Sequence, residues 1–95
     1  MIDHLVFLAV RADASPEAIE DLISSIRGLK DTVPGVVDLA VGENFSERSG
    51  GYTHGFLVRF ESQEDLQEYL RHPDHLSVVE KLDALTTRIV VDYEF

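Results

Sequence analysis

The chain has 95 residues, of which 44% are hydrophobic and 27% charged, and it contains no cysteine. A chain this short buries little more than ~60% of its unfolded surface, so one domain with a thin core is expected, and a second subunit would help it. Its net charge of -10 repels phosphate backbones and anionic headgroups, so neither nucleic acid nor a membrane surface is expected as a partner. Without cysteine, a disulfide framework, a zinc knuckle and a thiol nucleophile are all excluded.

The amino-terminal run MIDHLVFLAVRAD is apolar, yet too short to span a bilayer and without a basic leader, so a cytoplasmic location is expected. Within it Ile2, His4, Val6, Leu8 and Val10 alternate with Asp3, Leu5, Phe7, Ala9 and Arg11, a strand with two largely apolar faces. Both faces then need cover. Ser15, Pro16 and Glu17 supply a hydroxyl N-cap, a proline at the first helical position and an acid near the positive helix end. Ile19, Leu22, Ile23, Ile26 and Leu29 follow at helical spacing. Pro34 and Gly35 end that helix and lead into a second strand, Val36 to Gly42, and Asn44 to Gly51 read as a polar loop.

The third strand, Tyr52 to Phe60, places His54, Phe56, Val58 and Phe60 on one face. Ser62 with Asp65 resembles a capping box, opening a helix in which Leu66, Tyr69 and Leu70 share a side until Pro73 breaks it. Leu76, Val79 and Leu82 suggest a further short helix, and Arg88 to Phe95 the last strand. The order βαββαβ predicts an α+β, ferredoxin-like domain over residues 1–95: a four-stranded antiparallel sheet with helices on one face. On the other face Leu5, Phe7, Leu57, Ile89, Val91 and Tyr93 would stand uncovered, a patch larger than a monomer usually exposes, so a homodimer packed sheet to sheet is expected. At ~50 Å² for each of those side chains in both copies, burial would contribute about 15 kcal/mol gross, before association costs.

Several pieces in register carry a family resemblance: Ile2, His4 and Val6 on the first strand, the Pro34–Gly35 pair, Gly42, G-Y-T-H at Gly51 to His54, F-E-S at Phe60 to Ser62, and Y-x-x-H-P-x-H at Tyr69 to His75. Together they resemble the stress-responsive A/B barrel (Dabb) family, whose members are dimeric α/β barrels. In a plant polyketide cyclase of that family the tyrosine and the second histidine of the last motif form the catalytic pair, which here corresponds to Tyr69 and His75. The resemblance implies a cofactor-independent cyclase, isomerase or lyase acting on a small carbonyl compound. His75 would be the base and Tyr69 the hydrogen-bond donor to an enolate oxygen. His4, His54, Phe56 and Arg88 would line a helix-covered pocket, with Arg88 pairing a substrate carboxylate.

Each residue also has a structural reading. A histidine on an apolar strand face is more often a hydrogen-bonded core residue, Tyr69 shares its helical stripe with two leucines, and Arg88 at a strand end can reach solvent or Asp92. His72 is expected at the surface. His72 and His75 lie three apart at a proline break with no acid ligand obviously placed with them, so no metal is expected, and the cyclase, isomerase or lyase chemistry implied above needs no cofactor. The alternative function is therefore a non-catalytic stress-responsive dimer, or one that binds a small molecule without turning it over. Cofactor-free oxygenation follows only from analogy with related barrels.

Overall fold

A computed structural model describes all 95 residues. The elements run β1 (Ile2–Val10), α1 (Pro16–Thr32), β2 (Asp38–Glu43), β3 (His54–Phe60), α2 (Gln63–Arg71), α3 (Pro73–Leu85) and β4 (Thr86–Glu94). The strands form one antiparallel sheet in the order β2-β3-β1-β4, which is the ferredoxin-like arrangement expected. None of its helices is long and apolar enough to cross a membrane.

Local chemistry explains where the helices begin. The Ser15 hydroxyl accepts a hydrogen bond from the Ala18 amide at 3.1 Å with Pro16 opening the first turn, and Ser62 caps α2 in the same way through the Asp65 amide. The helical region after β3 is split at Pro73, as expected. It is two helices sharing one residue: His72 is the C-cap of α2, and its Nδ1 accepts from the Asp74 amide at 3.1 Å as the N-cap of α3. Pro73 is the reason, since its ring forbids α2 from continuing but suits the first turn of a new helix. His72 is therefore a half-buried cap rather than a free surface residue.

That corner also resets the phase of α3. Val78 and Leu82 turn inward, whereas Leu76 is 50% exposed, so the inward stripe is not the Leu76, Val79 and Leu82 set expected. The core lies between sheet and helices and consists of Ile2, Val6 and Leu8 from β1, Phe56, Val58 and Phe60 from β3, and the inward residues of the helices. Period-two alternation leaves the other side of the sheet bare: Phe7, Ile89, Val91 and Tyr93 are each more than two-fifths exposed. Val90 points to the helix side, yet it too is 47% exposed, because the helices do not extend fully over the edge strand β4.

Asp3 lies on the bare face but is itself buried. Arg59 grips its carboxylate with two bonds, Nε to Oδ1 at 2.7 Å and Nη2 to Oδ2 at 3.0 Å, and the Tyr93 hydroxyl donates to Oδ2 at 3.1 Å. The guanidinium holds the Asp3 carboxyl below the usual carboxylate range, and the carboxylate pushes the Tyr93 phenol up. Arg59 also stacks over Phe95, 5.1 Å from the ring centroid.

Candidate active site

Four aromatic rings meet beneath the α2–α3 corner. The Tyr69 ring, fully buried, lies 5.1 Å from Phe60, 5.8 Å from His4 and 4.4 Å from His75, centroid to centroid. Phe56 meets the edge of His4 at 6.4 Å. The sequence places them there through two devices. His4 and Phe56 follow the inward alternation of β1 and β3, and the Pro73 break brings His75, in the first turn of α3, back against Tyr69 on α2.

The protonation states follow from partners. Nδ1 of His75 lies 3.1 Å from the Leu70 carbonyl, which can only accept, so Nδ1 carries the proton and Nε2 keeps its lone pair. Burial lowers the His75 pKa, with lesser contributions from the nearby His4, Arg88 and His72, while the bond to Leu70 opposes them. The imidazole is thus neutral at neutral pH, with a free basic nitrogen. Burial pushes the Tyr69 phenol well above its ordinary value, so it remains a proton donor. Its hydroxyl is buried and makes no hydrogen bond to any protein group. Buried polar groups are seldom left so, and where one is, a ligand-binding or catalytic role is one explanation.

His4 has a partner that the sequence reading missed. Its Nδ1 contacts Oδ1 of Asp92, a residue on the helix side of β4 directly opposite it in the register. A carboxylate there fixes the ring's orientation and favours the tautomer with its lone pair on Nε2. The signal was present in the alternation of the last strand, which puts Asp92 on the face opposite Ile89, Val91 and Tyr93. What was absent was the pairing of β1 with β4.

Three expectations need correction. His54 does not join this cluster: it pairs with Leu8, whereas His4 pairs with Val58, so four residues of strand, ~13 Å, separate them. There its Nδ1 bonds the Thr53 hydroxyl at 2.8 Å, and the ring borders clefts of about 600 and 740 Å³ at the β2–β3 edge. Arg88 does lie on the helix side of β4, but its Nη1 donates to Asp83 of α3 at 2.8 Å, not to Asp92. Nor is the helix-covered space an open pocket. None of the principal clefts is lined by Tyr69 or His75, because the Tyr69, Phe60, Phe56 and His4 rings fill it. A groove of about 270 Å³ between α2 and β4, bordered by Leu66, Gln67 and Asp92, reaches the carboxylate that holds His4. No group of three or more acids and histidines is placed to hold a metal ion.

Comparison with known proteins agrees with this architecture. Residues 2–95 match the model of the Stress responsive A/B Barrel Domain. A stress-response A/B barrel domain-containing protein of Arabidopsis thaliana is 31% identical over 98% of this chain and 88% of its own length. Olivetolic acid cyclase of Cannabis sativa is 29% identical over 79% of this chain and 76% of its own. Among solved structures, a dimeric ferredoxin-like protein of unknown function from Jannaschia sp. superposes with a TM-score of 0.86 at 29% identity, over 99% of this chain and 98% of the other. The chain belongs to the stress-responsive A/B barrel (Dabb) domain family.

Proposed function

We propose that the protein is a homodimer that performs cofactor-independent proton transfer on a small carbonyl compound, in cyclase, isomerase or lyase chemistry. The observation that carries this reading is the juxtaposition of a buried phenol lacking any hydrogen-bond partner with an imidazole whose free nitrogen is basic at neutral pH. His75 Nε2 takes a proton from the carbon next to the carbonyl. Tyr69 donates to the oxygen on which the enolate charge develops, within a low-dielectric site where such a bond is strong. His4, held by Asp92, and Phe56 form the wall behind the phenol. Arg88, near enough to disfavour a charge on His75 but paired with Asp83, and His54, at the far end of the sheet, are left out of this site. Similarity to olivetolic acid cyclase supports a ring-closing or related reaction, and the dimeric Jannaschia sp. protein supports a homodimer, for which the bare sheet face is the apolar surface available. No cofactor enters the proposal, and a cytoplasmic setting is assigned to it.

Because Tyr69 is sealed, a substrate reaches it only when the packing around it opens. That same sealing favours a second reading, a non-catalytic dimer in which the rings are simply core. Screening small β-keto acids and lactones for turnover, with His75→Ala as control, separates the two. Turnover that falls by about 10²-fold or more in the variant is expected of a general base. Turnover surviving the substitution removes His75 from the chemistry, and no turnover of any compound leaves the non-catalytic dimer.

A further inference from the structure

His72 stands between Tyr69 and His75 at the α2–α3 corner and is tied to both helices. Its amide donates to the Tyr69 carbonyl at 3.1 Å, its carbonyl accepts from the Leu76 amide at 3.0 Å, and its ring Nδ1 accepts from the Asp74 amide at 3.1 Å. A ring nitrogen that accepts carries no proton, so the proton of the neutral His72 ring sits on Nε2. His75 has the opposite arrangement, with Nδ1–H donating to the Leu70 carbonyl at 3.1 Å. The cap itself is unlike the others of the chain. Ser15 and Ser62 each accept from the third amide of their helix, those of Ala18 and Asp65, whereas His72 accepts from the second.

That second amide is the one that matters for His75. On an unbroken helix the Asp74 amide would bond the Leu70 carbonyl four residues before it, and a side chain at position 75 would project about 140° around the axis from Leu70. Neither holds here. The extended backbone of His72, φ -65° and ψ 137°, turns the chain, Pro73 brings no amide, and the single hydrogen of the Asp74 amide goes to the His72 ring. The Leu70 carbonyl is left to the ring of His75. We propose that His72 is a positioning residue for His75: by holding the Asp74 amide, its ring fixes the first turn of α3 so that His75 Nδ1–H meets the Leu70 carbonyl and Nε2 keeps its lone pair. The inference rests on the function proposed above, in which that lone pair takes the substrate's proton, and it adds a residue that touches no substrate. The bonds of His72 to Tyr69 and Leu76 are made by its backbone and survive loss of the side chain, so they hold the corner together while the ring gives it direction.

The test reads the ring nitrogens of His75 by nitrogen NMR of the isotopically labelled full chain in His72→Ala, His72→Ser and His72→Asn, with circular dichroism to show that each variant is folded. In the parent His75 is expected in the Nδ1–H form. His72→Ala should raise the share of the Nε2–H form by about fivefold, the weight of one net hydrogen bond. His72→Ser is expected to cap the third amide of α3, as the other two serines do in their helices, and so to recover stability without restoring the tautomer. His72→Asn carries an acceptor oxygen where the ring has Nδ1 and should restore both. Unchanged His75 nitrogen shifts in His72→Ala, or a serine that repairs the tautomer as fully as asparagine, overturn the proposal and leave His72 an ordinary cap; the second comparison decides alone should His72→Ala fail to fold. Because the readout needs no substrate, it separates this inference from the reaction. A parent that turns over nothing, with the NMR series as expected, overturns the catalytic reading and upholds the positioning. With an active parent, His72→Ala should lower kcat by about fivefold and leave KM little changed, and an unchanged kcat overturns the role of His72 in the chemistry.

Discussion

At the scale of single residues, the Tyr69 hydroxyl gives the sharpest expectation. Leaving a buried donor unpaired costs about 1–3 kcal/mol, so Tyr69→Phe should make the protein more stable, raising its melting temperature by several degrees for a domain of this size. Under the catalytic reading the same substitution lowers turnover, the opposing pair of effects expected of a group kept for chemistry. Calorimetry that shows a lower melting point would mean that the hydroxyl has a partner in solution. His75 sets a pH dependence. Its folded-state pKa lies below its unfolded value of 6.5, so as pH falls through 6.5 the unfolded chain takes up the proton first and stability declines, until the folded pKa is also passed. His75→Gln should flatten that slope in urea titrations between neutral and mildly acidic pH. The identity of these two residues was legible from the Y-x-x-H-P-x-H pattern. Asp92 as the partner of His4, and Asp83 as that of Arg88, were not, since each pairing depends on which elements meet in space.

Among the elements, α2 matters most for the site because it carries Tyr69, and its start depends on one hydroxyl. Ser62→Ala removes the bond to the Asp65 amide and should cost about 1 kcal/mol in chemical denaturation, whereas an unchanged midpoint would mean that water replaces the cap without loss. Both serine caps and the role of Pro16 could be read locally, because an N-cap is chemistry between residues three apart. The strands were equally legible: Val6, Leu8, Phe56 and Val58 all turn inward as their alternation predicts. The inward face of the helix after Pro73 was not. Its apolar residues fit more than one helical phase, and the choice is made by Pro73 together with a histidine that ends one helix and begins the next. The register between β1 and β3 placed His54 at a distance from His4, a fact that alternation alone cannot convey, since period two gives the face of a residue and not its height along the sheet.

Across the whole molecule, the expected uncovered face is present, with Phe7, Ile89, Val91 and Tyr93 on it, and its size follows from the simple shortage of helices to cover two sides of a sheet. Composition indicated that a companion was needed, whereas the rows that the face would present to it emerge only from the register. The strand order leaves β2 and β4 as the two outer strands, each with a line of backbone amides and carbonyls that no strand of its own chain satisfies. In a homodimer packed through the bare face those lines would flank the join between the two copies. Separation of the copies would therefore uncover adhesive borders as well as grease, and a solution of parted chains would tend toward cloudiness and fibres rather than remain clear. The seating of the twin is in this sense a guard on solubility for a protein whose helices shelter only half of its sheet.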